Sequence, residues 1–231
     1  MNAARSIIAK FITLVFKIRN SCVPLFYQHT INATTKLGIW RIEEHEKFFL
    51  ATVPLQQNIT HPHKRLQHLA GRYLLQFLFP DFPYDEILIA DTRKPYLPNE
   101  QYHFSISHCG EYAAAIVSST HRVGIDIEKP TEKVERIAHK FIHENEKQFL
   151  ANYQLSIINY QLLTIMWSAK ESLFKWYSLG KVDFKENMQL INNIQKQNDS
   201  LLLPFVFKKD EPVYLNIISV IFNELVLSWV L

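Results

Sequence analysis

Apolar residues return at helical intervals through Leu66, Leu69, Ala70, Tyr73, Leu74, Phe77 and Leu78, which predicts an amphipathic helix stopped by Pro80 and Pro83. Arg65, His68 and Arg72 form a second, basic stripe beside the apolar one. Ahead of this helix, Lys36–Ile42 predicts a strand and Glu43–Leu50 a short helix. Behind it, Ile87–Ala90 predicts a strand. Phe104, Ile106 and Ala113–Val117 predict a hairpin turning at Cys109-Gly110-Glu111. Ser107 and His108 then fall at the end of its first strand, at a sheet edge.

The period switches to two at Val123–Glu128, where Val123, Ile125 and Ile127 alternate with Gly124, Asp126 and Glu128. Two carboxylates thus share one strand face, where they repel each other unless a cation lies between them. Glu132–Lys140 and Glu144–Asn152 read as helical, and Leu162–Leu179 as a long apolar helix with Met166, Trp167, Leu173 and Phe174 in the core and a stop at Gly180. The tail predicts strands at Met188–Ile194, Leu201–Phe207, Val213–Val220 and Leu225–Val230. No low-complexity linker divides the chain.

Composition narrows the choices. Hydrophobic residues make up 48% and aromatics 13%, enough for a packed core. Only five glycines are present, so a glycine-rich phosphate loop is excluded and any phosphate must be held by side chains and metal. A net charge of +3 without a long basic run permits an acidic partner and argues against nucleic acid. Cys22 and Cys109 suggest neither a zinc site nor a disulfide framework. His61-Pro-His63 lacks the i, i+4 geometry of a helical zinc motif. No apolar run reaches a membrane span. Near the start, Lys10 interrupts an apolar stretch and no Ala-x-Ala cleavage site follows, which argues against a signal peptide. Residues 1–22 are expected to be an over-extended reading frame or a dispensable extension.

Candidate chemistry gathers on the long helix. Trp167-Ser-Ala-Lys-Glu-Ser-Leu-Phe-Lys175 carries a third carboxylate, Glu171, with Lys175 one turn on, on the same face. Three carboxylates and an ammonium suit Mg²⁺ and a phosphate chain. Each piece has a plainer reading when taken alone: Asp126 and Glu128 as a solvated strand face, Glu171 and Lys175 as a surface ion pair.

Taken together, Gly124-Ile-Asp-Ile-Glu128 and Trp167–Lys175 resemble the paired signatures of the 4′-phosphopantetheinyl transferases, specifically the larger single-chain, surfactin-synthetase-activating type. Arg65, Gly71-Arg72, Arg93-Lys94-Pro95 and Phe104-Ser-Ile-Ser-His108 extend the resemblance from about Trp40 to Lys175. It departs from the family pattern at Arg93, which stands where Gly-Lys-Pro has glycine.

The resemblance implies an α+β fold of two similar α/β halves forming a pseudo-dimer, each a small antiparallel sheet packed on a long helix, with halves at 23–120 and 121–231. It implies transfer of the 4′-phosphopantetheine arm of coenzyme A to a serine of an apo acyl or peptidyl carrier protein, releasing adenosine 3′,5′-bisphosphate. Asp126, Glu128 and Glu171 would ligate Mg²⁺ in the second half. Glu171 or a metal-bound water would take the serine proton, and Lys175 would stabilise the pyrophosphate. Arg65, Arg72, Lys94, Ser107, His108 and Lys175 would hold the phosphates of coenzyme A. A cytoplasmic monomer without stable membrane association is implied as well. An inactive relative binding coenzyme A or carrier protein, and a Mg²⁺-dependent phosphohydrolase, are the competing readings.

Overall fold

The structure, a computed structural model, describes residues 24–55, 59–153 and 159–231. The expectation for residues 1–22 lies outside these described residues. Strands β1 (Leu25–Asn32), β2 (Thr35–Arg41), β5 (His103–Cys109) and β6 (Tyr112–Ser118) form an antiparallel sheet in the order β1-β2-β6-β5. Strands β7 (Gly124–Glu128), β8 (Met188–Leu190), β9 (Gln195–Gln197), β10 (Ser200–Phe207), β11 (Val213–Ile221) and β12 (Val226–Val230) form a second antiparallel sheet. Its order is β7-β12-β11-β10-β8, with β9 paired to β10. A small hairpin, β3 (Leu88–Ile89) with β4 (Pro95–Tyr96), stands apart from both.

Five α-helices complete the described residues: α1 (Glu46–Leu50), α2 (Pro62–Leu78), α3 (Lys133–Ile137), α4 (Lys147–Asn152) and α5 (Asn159–Tyr177). Helix α2 begins earlier than its apolar stripe. Pro62 occupies the first turn, and the His61 ring accepts the Lys64 backbone N–H at 3.4 Å. It ends at Phe79, whose extended backbone leads into Pro80. Helix α5 ends at Tyr177, followed by left-handed Ser178 and Gly180.

Strand alternation dictates how the layers stack. Helix α2 covers one face of the first sheet, burying Leu69, Leu74, Leu75 and Leu78 against Trp40, Ala113, Ala115 and Val117. Each such leucine stabilises the fold by roughly 1.5–3 kcal/mol. Helix α5 covers one face of the second sheet with Ile165, Met166, Ala169 and Leu173. The two remaining faces meet in a third core, where Leu37, Ile39, Ala114 and Ile116 oppose Ile125, Ile127, Leu227 and Trp229. The architecture is α+β, helix–sheet–sheet–helix, with two sheet-bearing halves.

The apolar residues of β7 thus face the other sheet, and Gly124, Asp126 and Glu128 face α5. Edge strand β5 lies beside β7, where the Ser105 hydroxyl accepts the Ile125 N–H at 3.2 Å. The seam between the halves runs past Ser107 and Asp126.

Candidate functional site

Asp126 lies 3% exposed between β7, α5 and β5, so it is not the solvated strand face that its alternation alone allows. Its Oδ1 accepts from the Lys175 ammonium at 2.7 Å and from the Ser107 hydroxyl at 2.8 Å. Lys175 also donates to Ser107 Oγ at 2.8 Å, closing a triangle across the seam. The Oδ2 of Asp126 is buried and has no hydrogen-bond partner. Glu128, two residues along, accepts from the Trp167 indole N–H at 3.2 Å. Glu171 lies one turn beyond Trp167 on α5.

The electrostatics follow from this crowding. Burial first, and then the Asp126 carboxylate, push Glu171 up to about 7, with Lys175 pulling the other way. The same two causes, in the same order, push Glu128 up to about 7 against the Trp167 hydrogen bond and Lys175. Desolvated carboxylates that repel one another, beside an orphaned carboxylate oxygen, fit a hard divalent cation, which takes oxygen donors. Among the described residues no three His, Cys, Asp or Glu side chains are already drawn together as a cation site. One oxygen of Asp126 is instead engaged by Lys175. Donor chemistry and the free Oδ2 carry the fit, and the residues that would hold the ion are Asp126, Glu128 and Glu171.

Lys175, the partner of Asp126, also walls a cavity of about 330 Å³ together with His68, Arg72, Arg93, Lys94 and His108. Six side chains that are or can become cationic around one hollow suit a phosphorylated ligand. Arg72 is buried, its Nε unpaired and its Nη1 3.0 Å from His68 Nδ1. Burial, then Arg72 and His108, bring His68 down to about 4. Burial, then Arg122 and Lys175, bring Lys94 down to about 8. Lys94 donates to the Lys175 carbonyl and to Ser178 Oγ, capping the end of α5. Its turn closes with Arg93 at φ 65°, the left-handed backbone that glycine adopts freely. Keeping arginine there costs about 1–3 kcal/mol.

The structure brings Asp126, Glu128, Glu171, Lys175, Ser107, His108, Arg72 and Lys94 to this one region. Arg65 is not drawn into the cavity: it forms an ion pair with Glu46 at 2.8 Å and donates to the Ile59 carbonyl. Ser107 is buried against Asp126 rather than standing free in the cavity. A larger groove of about 860 Å³ lies elsewhere, beside Tyr27, His29, Phe222 and Trp229, and contains none of the predicted site residues.

Three participants escaped the sequence reading. His68 reads only as part of a polar stripe. Trp167 reads as core, although a buried indole N–H needs an acceptor and a carboxylate on a neighbouring strand is a natural one. Lys170 is fully buried and pairs with fully buried Glu146 at 2.7 Å. It also donates to the carbonyls of Phe141 and Phe184, while Glu146 accepts the N–H groups of His143 and Leu190. This network fixes α5 against the segment that follows β7. Its signal was Lys170 itself, within the Trp167–Lys175 motif and amid an apolar helix face.

Residues 122–227 match the family model of the 4′-phosphopantetheinyl transferase superfamily. The chain is 37% identical over 117 residues to 4′-phosphopantetheinyl transferase gsp of Aneurinibacillus migulanus, covering 49% of this chain and 46% of that protein. It is 36% identical over 115 residues to enterobactin synthase component D of Escherichia coli (strain K12), covering 48% and 54%. The Salmonella typhimurium enterobactin synthase component D is 34% identical over 119 residues, covering 50% and 49%. The chain spans about half the length of the curated relatives it matches. The matched segment 122–227 contains β7 and α5, and with them both acidic motifs; over that segment the chain is similar to the 4′-phosphopantetheinyl transferase superfamily.

Proposed function

We propose that the protein transfers the 4′-phosphopantetheine arm of coenzyme A to a serine of an apo acyl or peptidyl carrier protein, with Mg²⁺, as a transferase of the larger single-chain type. The observation that carries this reading is buried Asp126, with its partnerless Oδ2, bonded through Oδ1 to Lys175, which itself walls a cation-lined cavity. The match of residues 122–227 to the superfamily and the named activity of its relatives support it.

In the proposed reaction the carrier serine oxygen bonds to the pyrophosphate phosphorus nearer the pantetheine. The P–O bond to the other phosphate breaks, and adenosine 3′,5′-bisphosphate leaves. Mg²⁺, when bound, would supply charge neutralisation at the phosphate oxygens. Asp126 and Glu128 would be its strand-borne ligands, with Trp167 and Ser107 fixing their orientation. Glu171 accepts the serine proton, a role its elevated pKa of about 7 supports. Lys175, in the cavity wall, stabilises the diphosphate. Arg72, His108 and Lys94 hold the remaining phosphates. The reaction belongs in the cytoplasm, where coenzyme A and newly made carriers meet.

Intact mass of an apo acyl carrier protein after incubation with the protein, coenzyme A and Mg²⁺ tests this, with EDTA as the control. A Mg²⁺-dependent gain of one phosphopantetheine arm is expected. Cleavage of coenzyme A with the carrier unchanged would mean a phosphohydrolase. Intact coenzyme A across several carriers would mean an inactive relative.

A further inference from the structure

The Lys175 ammonium sits 2.7 Å from Asp126 Oδ1 and 2.8 Å from Ser107 Oγ, a geometry that uses two of its three donors. Its side chain is 24% exposed against 4% for Asp126, so it descends from the cavity wall onto a buried carboxylate. The same lysine walls the cavity with Arg72, Arg93 and His108. Asp126 Oδ2 is meanwhile buried without a hydrogen-bond partner. Resting on the transferase reading, we infer that Lys175 is the built-in counter-ion of the carboxylate cluster, and that its charge passes from Asp126 to the phosphates of the substrate when the site loads.

The physical argument is competition for one anion. An ammonium at hydrogen-bond distance from Asp126 repels a second cation arriving at the same carboxylate. A divalent cation alone therefore binds against Lys175. Phosphates entering the cavity offer Lys175 another partner within the reach of its four-carbon stem. Once it turns to them, the carboxylates regain their full negative charge for the cation. Cation and phosphorylated substrate then favour each other's binding, and by linkage the coupling is reciprocal. Ser107 guides the exchange, because its hydroxyl donates to Asp126 at 2.8 Å and keeps the carboxylate turned with Oδ2 open after the ammonium leaves.

The test is the sign of two affinities in Lys175→Met, with Mn²⁺ alone as the cation probe, followed by electron paramagnetic resonance, and with coenzyme A titrated in EDTA. The variant should bind Mn²⁺ at least about fivefold tighter than the wild type and coenzyme A at least about fivefold weaker. Lys175→Arg keeps the charge and should stay close to the wild type for Mn²⁺. Lys175→Gln repeats the measurement if methionine disturbs folding, which thermal denaturation reports. A merely structural lysine would weaken both ligands together, and that result, or Mn²⁺ binding no tighter than in the wild type, overturns the inference. Transfer by the wild type without the Mn²⁺ gain in the variant removes the inference and leaves the proposed function standing. Opposite-signed shifts with no transfer to any carrier leave the inference and remove the function.

Discussion

Gly124 of β7 packs directly on the backbone of Ser172 in α5: a Cβ at Gly124 would stand 1.9 Å from the Ser172 carbonyl oxygen and 2.7 Å from the Trp176 nitrogen. Both obstructions are main chain, so no rotamer change relieves them. The strand and helix carrying the candidate metal ligands can approach this closely because one residue has no side chain.

Gly124→Ala should therefore push α5 away from β7. A cost of about 3 kcal/mol or more is expected, because overpacking against backbone has no outlet. Thermal denaturation should record a fall of about 2–4 °C per kcal/mol lost. Retained wild-type stability would show that the close approach is not needed.

Glu171→Gln keeps the shape of the side chain and removes its basicity. Turnover with a carrier protein should fall by about 10²–10⁴-fold, while coenzyme A binding changes little. Equal losses in turnover and coenzyme A affinity would assign Glu171 to binding instead of proton transfer.

Glu128 and Glu171 are both held near 7, above their ordinary value of 4.5, by burial and by Asp126. A carboxyl group with a raised folded pKa favours the folded state most below its unfolded pKa. That contribution is lost as the pH rises from about 4.5 through about 7. Without divalent cations the protein should lose melting temperature across this window. Added Mg²⁺ should restore it above pH 7, where these candidate ligands are ionised, and do nothing near pH 5. Differential scanning fluorimetry with and without Mg²⁺ at each pH checks both arms.

Trp167→Phe removes the indole N–H that holds Glu128 and keeps most of the aromatic contact with Phe141 and Phe184. Mn²⁺ affinity should drop by roughly 10–100-fold, the usual effect of losing an orienting partner of a metal ligand. Unchanged affinity would make Trp167 a core residue only.

Lys170→Met leaves Glu146 charged, buried and unpaired. Urea unfolding should show a loss of about 3–5 kcal/mol. A loss below about 1 kcal/mol would mean that Glu146 takes up a proton at little cost.

Some of this molecule was legible residue by residue, and the gaps have local causes. The stripe from Leu66 to Leu78 predicts α2 because only one face of that helix is buried. Its start at Pro62 was missed because the first turn is set by His61 and Pro62, which carry no apolar signal. β9 went unseen because Gln195, Lys196 and Gln197 are all exposed and polar, so burial writes no alternation into them. β1 carries little strand signal, since most of its residues are exposed at a sheet edge.

The sequence by itself determined the alternation that turns Asp126 and Glu128 to one face of β7 and the helical spacing that turns Glu171 and Lys175 to one face of α5. Both are properties of local backbone geometry, repeating every two residues or every 3.6. Which partners those faces meet was decided only by tertiary structure. Ser107 reaches Asp126 from 19 positions away, Trp167 reaches Glu128 from 39, and Lys175 reaches Asp126 from 49. Arg65, on the same helix as Arg72, was taken out of the cavity by Glu46. Such contacts depend on how two sheets and two helices stack across a seam, and no spacing along the chain records that.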